Sequence, residues 1–196
     1  MSATTFSNAE NLRSDEVRPV ADTDMVRIDD AFAQRFGLTV PSPFTLSVPR
    51  VPDTVFNVQL PDRVDGVYAR VSFSTLADGQ YETLDVTPLR IAAGRPAERR
   101  QIMSRLFITR VFADLTSRYI NKSLEGVNLY LLPGYESVVL SGTYWDPKAG
   151  DVAIRIYGVM PKDNENGLLF YERRYVERAG DAERLAEQVV RSVVFD

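Results

Sequence analysis

Two periods of hydrophobicity run through this chain. Val67, Ala69, Val71 and Phe73 alternate with Tyr68, Arg70 and Ser72, the two-residue period of a strand with one buried face. The Asp-Gly pair in "ADGQ" (77–80) then predicts a hairpin turn within 66–89. From 95 to 119 the period changes. Ile102, Leu106, Ile108, Val111, Phe112, Leu115 and Tyr119 recur mostly at three- and four-residue spacing, and Pro96 is placed where a first helical turn tolerates it. A helix of roughly 24 residues would run about 36 Å. Its remaining surface carries Arg99, Arg100, Arg105, Arg110 and Arg118, read as a solvated face.

Strand patterns follow around 127–132, 136–145, 151–160 and 168–177, joined in the second half by "WDPKAGD" (145–151) and "PKDNENG" (161–167). Ala182, Leu185, Ala186, Val189 and Val190 give a closing helix its apolar face, and Val193, Val194 and Phe195 form a buried stub. Nearer the start, "DDAFAQRFG" (29–37) predicts a short helix capped by Asp29 or Asp30 and ended by Gly37. Between 39 and 66, prolines 41, 43, 49, 52 and 61 confine any strands to edges or extended connectors. Residues 1–27 read as a polar N-terminal extension that docks on the domain or on a neighbouring chain. Residues 28–196 read as a single α+β domain, an antiparallel sheet packed by helices.

Composition narrows the chemistry. The 196 residues include no cysteine and no histidine, which removes disulfides, thiolate and imidazole metal ligands and the Ser-His-Asp triad. Carboxylate-pair hydrolysis, lysine chemistry and Mg²⁺ or Ca²⁺ sites stay open, but the reading is of a protein that is not an enzyme and has no cofactor. The net charge of −4 argues against nucleic acid as the main partner. The arginine-rich helix, diluted by Glu98 and Asp114 and lacking an aromatic ladder, does not change that. No stretch reaches the roughly 18 apolar residues of a membrane span. Residues 1–20 lack the basic and apolar regions of a signal peptide, so a cytoplasmic location is expected, with export after removal of a leader as the alternative. "NKS" (121–123) matches a glycosylation sequon, relevant only to a secreted eukaryotic protein.

Two loops carry carboxylates. Counted from Asp163, a helix–loop–helix calcium site needs glycine sixth and a carboxylate twelfth, but Leu168 and Arg174 stand there. "PKDNENG" is therefore expected to be a turn, with Asn and Gly tolerating positive φ, and no metal is expected. Asp146 and Asp151 flank the turn at 147–150, expected to be an exposed loop tip without a site.

The order from 96 onward, with "GYESVVLSGTYW", "DVAIRIYGVM", "LLFYERRYVE" and the closing "RSVVFD", resembles the PsbP-like superfamily. That group holds photosystem II extrinsic proteins, bacterial lipoproteins and Ran-binding import factors. Gly142, Leu169–Tyr175 and Arg191–Phe195 stand at the positions of its glycine, strand and terminal-helix motifs, and "RVPDTVF" (50–56) is similar to a stretch of the Ran-binding branch. The resemblance covers about half the chain. It implies an α/β/α sandwich with a central antiparallel sheet, and an accessory or binding role through a protein partner or self-association.

One face of that sheet is the candidate site. If 136–145 and 151–160 pair with numbers summing to 297, and 151–160 with 168–176 summing to 327, then Val139, Thr143, Trp145, Val152, Ile154, Ile156, Leu169 and Tyr171 form a core face. Tyr144, Ala153, Arg155, Tyr157, Phe170, Glu172 and Arg174 form the other. Tyr144, Arg155, Tyr157, Glu172 and Arg174 would then line an aromatic and basic groove for a small anionic ligand or a partner's acidic segment. The plainer reading is a cross-strand ion pair between Arg155 and Glu172.

Overall fold

The meander expected in the second half of the chain forms the centre of a seven-stranded antiparallel sheet in the computed structural model. The structure describes residues 22–50, 55–57, 67–73, 82–176 and 181–196; residues 1–21 and the "ADGQ" turn lie outside these. The strands of the large sheet are β3 (Val55–Asn57), β4 (Ala69–Ser72), β5 (Thr83–Arg90), β6 (Ile120–Leu129), β7 (Tyr135–Asp146), β8 (Gly150–Pro161) and β9 (Asn166–Tyr175). They lie in the order β3-β4-β5-β9-β8-β7-β6. A three-stranded antiparallel sheet, β1-β2-β10, is made from β1 (Thr23–Ile28), β2 (Phe44–Pro49) and β10 (Val194–Phe195). Residues 23–27, read from sequence as part of the extension, are thus a strand paired with β2.

The prolines stand at strand ends or beyond a neighbour's reach, although β2, set between prolines 43 and 49, is the central strand of the small sheet and not the edge or connector that they predict. Pro49 is the last residue of β2, and Pro88 lies in the part of β5 beyond the reach of β4, whose pairing stops at Val86. There a missing amide removes no ladder bond on that side. Helix α1 (Asp30–Phe36) is capped as its sequence dictates. Asp29 Oδ1 accepts from the Phe32 amide at 3.1 Å, and Gly37 closes the helix at φ 63°.

The two faces of the large sheet carry separate cores. On one, Tyr157, Val159, Leu168, Phe170, Leu84 and Val86 pack with Leu185, Ala186, Val189 and Val190 of α4 (Asp181–Arg191) and with Phe44 and Leu46 of the small sheet. On the other, Val138, Leu140, Ile154, Ile156 and Tyr171 pack with Met103, Phe107 and Phe112. Each fully buried Leu, Val or Phe contributes about 1.5–3 kcal/mol. The result is the α/β/α sandwich with a central antiparallel sheet that the resemblance implies.

The long helix departs from its predicted stripe. It runs as α2 (Pro96–Leu106), a π-helical segment Phe107–Val111, and α3 (Phe112–Thr116). Among the described side chains its buried residues are Arg99, Met103, Phe107, Phe112 and Thr116, whereas Ile102 and Ile108 are 48% and 43% exposed. The spacing is four, four, five, four, and the five falls across the π turn, which adds one residue without rotating the inward face. The sheet supplies the cause. A Cβ on Gly158 would lie 2.7 Å from the Phe107 ring, and one on Gly142 would lie 2.7 Å from the Phe112 ring. Two glycine recesses in the sheet receive the two rings, and the helix bulges to reach both.

Candidate functional site

Strand register decides which side chains meet. Between β8 and β9 it is the predicted one, with Arg155 opposite Glu172 and Tyr157 opposite Phe170. Between β7 and β8 it is one residue off the predicted 297. Asp146 pairs with Gly150, and every pair sums to 296, as in Thr143 with Ala153 and Tyr144 with Val152. The reason lies in the turn. Asp146 Oδ1 accepts from the amides of Lys148 (2.7 Å) and Ala149 (3.1 Å), and Gly150 takes φ 77°, so the loop closes over three residues. A loop of odd length moves every β7 side chain to the opposite face from the one an even loop would give. Val139, Thr143 and Trp145 therefore share the face of Arg155, and Tyr144 leaves it.

The remaining four candidate residues converge beneath α4. The Tyr157 hydroxyl donates to Glu172 Oε2 at 3.0 Å, and Arg174 Nε lies 3.4 Å from Glu172 Oε1. Arg155 Nη1 and Arg174 Nη2 both pair with Glu183 of α4, the latter at 2.9 Å. Burial pushes the Glu172 carboxyl up to about 7, against the opposing pull of Arg155, Arg174 and the Tyr157 hydroxyl. Glu183, absent from the sequence-derived set, is the acid that the two arginines share. Charge at a one-turn offset on the closing helix was the available signal.

Tyr144 joins a different cluster on the α2 side. Its ring stacks on Tyr119 with centroids 4.1 Å apart, and its side chain is 1% exposed. Burial raises its hydroxyl well above the ordinary tyrosine range, and burial pushes Tyr171 up to about 12. Arg173 lies over the Tyr171 ring, 5.5 Å from its centroid, and its Nη2 donates to Thr83 Oγ1 at 3.3 Å. Beside it, Arg70 holds Asp85 through two bonds of 2.5 and 2.8 Å. Alternate residues Tyr171, Arg173 and Tyr175 on β9 put this aromatic and basic row on one face.

A third polar centre corrects the reading of the helix. Arg99, assigned from sequence to the solvated face, is 1% exposed. Its Nη1 donates to the carbonyls of Pro161 (3.0 Å) and Lys162 (2.8 Å), and its Nη2 to that of Asn164 (2.5 Å). "PKDNENG" is the β8–β9 turn, clasped by a guanidinium from α2. Gly167 is needed there for closeness and not for positive φ, since a Cβ would meet the Val159 carbonyl at 2.3 Å.

Elsewhere, a cleft of about 500 Å³ is lined by Pro41, Ser42, Tyr68, Arg90, Asn166 and neighbours, and includes none of the five candidate residues. Among the described residues no three acidic side chains are grouped to hold a metal ion, and no helix is long and apolar enough to cross a membrane.

No family model and no curated protein matches the sequence. Solved structures do match. Cyanobacterial PsbP (CyanoP) from Synechocystis superposes with a TM-score of 0.55 at 12% identity, over 90% of this chain and 95% of that one. The fold is that of PsbP. LpqN of Mycobacterium tuberculosis, described as involved in cell envelope biogenesis, has the PsbP-like arrangement too, at TM-score 0.54 and 12% identity over 88% of this chain and 91% of its own. The Ran-binding protein Mog1p of Saccharomyces cerevisiae scores 0.48 at 12% identity, over 88% and 96%. The likeness extends through the N-terminal half, beyond the part of the chain whose motifs carried the resemblance.

Proposed function

We propose that this protein is a non-catalytic binding or accessory protein that acts through a protein–protein surface. The observation that carries the reading is a set of large exposed apolar side chains spaced among polar ones along the sheet's outer edge. Strand β6 is the last strand of the large sheet, and Ile120, Leu124 and Leu129 on it are exposed, as is Leu131 just beyond, by 78%. Exposed apolar side chains gathered along one edge mark a contact surface more often than an accident of composition. The PsbP-like fold is compatible with such a role by analogy alone. On this reading the Arg155–Glu172–Arg174 cluster clamps α4 through Glu183. Its guanidiniums are already paired, which leaves little charge for a small anionic ligand.

A photo-reactive residue at position 129 or 131 tests the surface, with one at exposed Asp163 as the control. A discrete adduct with a second copy or a host protein, absent from the control and lost on Leu131→Lys, is the expected result. Equal labelling at all three positions would sink the proposal.

A further inference from the structure

Every charged guanidinium built into the large sheet has a carboxylate beside it, with one exception among the described residues. Arg70 has Asp85, Arg155 and Arg174 have Glu183, and Arg99, which reaches the sheet from α2, has Glu136. Arg173 forms no ion pair among the described residues. Its Nε is buried and without a hydrogen-bond partner, and its bond to Thr83 at 3.3 Å is long. Asp85, which shares the cluster, is held by both oxygens on Arg70. Arg173 is half-buried with its Nε enclosed, and the Tyr171 ring at 5.5 Å offsets only about 0.5–2 kcal/mol and leaves Nε–H unmet.

A second donor in the same cluster is also unmet. The Tyr144 hydroxyl is buried and makes no hydrogen bond of good geometry among the described residues, although the Tyr171 hydroxyl is close to it. It lies within electrostatic reach of Arg173, as do Tyr119 and Tyr171. Two buried donors without acceptors, one of them cationic, call for an acceptor that the described residues do not supply.

We infer that Arg173, lying over the Tyr171 ring in the cluster that includes the stacked pair Tyr119 and Tyr144, binds a single carboxylate group from a ligand or partner. The guanidinium presents Nε–H and an Nη–H as a fork that a carboxylate fills with two parallel bonds, and the Tyr144 hydroxyl is a third donor. Charge selects the monoanion. Arg70, Arg173 and Asp85 sum to one positive charge, so a carboxylate leaves the site neutral, whereas a phosphate dianion would add a net negative charge beside Asp85. Flat tyrosine rings also suit a planar group better than a tetrahedral one. The site is on the opposite sheet face from the Arg155 cluster, and it stands whether or not the β6 edge is a contact surface.

The test follows the Arg173 Nε–H resonance of the full chain while sodium acetate, sodium benzoate or phosphate is added at constant ionic strength. A saturable shift with acetate and benzoate, at least about five-fold weaker with phosphate, is expected, where five-fold corresponds to one hydrogen bond of about 1 kcal/mol. The backbone amide resonances of residues 171–175 report the same titration in Arg173→Lys, which keeps the charge and removes the fork, so their saturable response is lost. Should that variant fail to fold, Tyr144→Phe deletes only the third donor and weakens acetate by about five-fold. An end-blocked peptide with one glutamate separates the sources. If it binds as acetate does, the carboxylate belongs to a protein partner; if only the free acids bind, it belongs to a small molecule; either supports the site. No saturable shift, phosphate binding as tight as acetate, or an undiminished response in folded Arg173→Lys or Tyr144→Phe overturns it.

Discussion

Arg99 Nε lies 3.4 Å from Glu136 Oε2, with the two side chains 1% and 3% exposed. This is a buried ion pair whose cation also holds three carbonyls of the β8–β9 turn, so helix α2, strand β7 and the turn share one charge. Removing one partner leaves the other uncompensated. Arg99→Met should cost about 3–5 kcal/mol, and the double substitution Arg99→Met/Glu136→Met should recover part of that loss. Urea denaturation measures both. Equal stability of the single and double variants would show that the turn carbonyls, and not Glu136, carry the energy.

The inward face of the long helix gives a sharper contrast. Met103→Ala should destabilise by about 2–5 kcal/mol, whereas Ile102→Gln, one residue away, should stay within about 0.5 kcal/mol. Sequence periodicity alone ranks them the other way. Thermal and urea midpoints of the two variants decide between the registers.

Gly142→Ala and Gly158→Ala should each cost about 1–3 kcal/mol by overpacking. Trimming the ring that faces each glycine should restore some of it. The pairs are Gly158→Ala with Phe107→Leu and Gly142→Ala with Phe112→Leu, read as double-mutant cycles. Additive losses would mean that the rings do not occupy the recesses.

Glu172 predicts a pH dependence. Its carboxyl is raised in the fold from 4.5 to about 7 by burial, so the folded protein holds this proton more tightly than the unfolded chain. The stability it contributes is complete below about pH 4.5 and is lost as pH rises to about 7, a fall on the order of 3 kcal/mol at most. Asp24, Asp29 and Glu165 are shifted the opposite way, so their contributions fade only as pH falls below the carboxylate range. Urea midpoints at pH 5 and pH 8 should therefore differ in the wild type and converge in Glu172→Gln. A wild type equally stable at both would remove the burial argument.

The layers of the fold were legible because they follow from periodicity: a meander of two-residue period, a long helix, and a closing helix whose Leu185, Ala186, Val189 and Val190 are all buried. The register from β8 to β9 was legible too. What escaped were quantities that periodicity does not carry. The β7–β8 loop length is set by Asp146 accepting two amides, and an error of one residue moved Tyr144 to the wrong face. The π turn is set by glycines on two strands distant in sequence, Gly142 of β7 and Gly158 of β8, so the helix read alone gave Ile102 and Ile108 as core. Arg99 was read as solvated because charge normally is; its interior role depends on carbonyls 62 to 65 residues downstream. The unpaired state of Arg173 is a relation among three strands, visible only once the register is known.

The clasp on "PKDNENG" has one further consequence. Arg99 grips main-chain oxygens, which any residue provides, and touches no side chain of the turn through the three bonds it makes. The identities of Lys162 and Asp163 are therefore nearly free to drift over evolutionary time, provided the backbone keeps its path, whereas Asn164 is held by its own side-chain bonds to Ser42 and to the Asn166 amide. The specification of that loop is stored on a helix, in a residue that a reader of the loop would never consult.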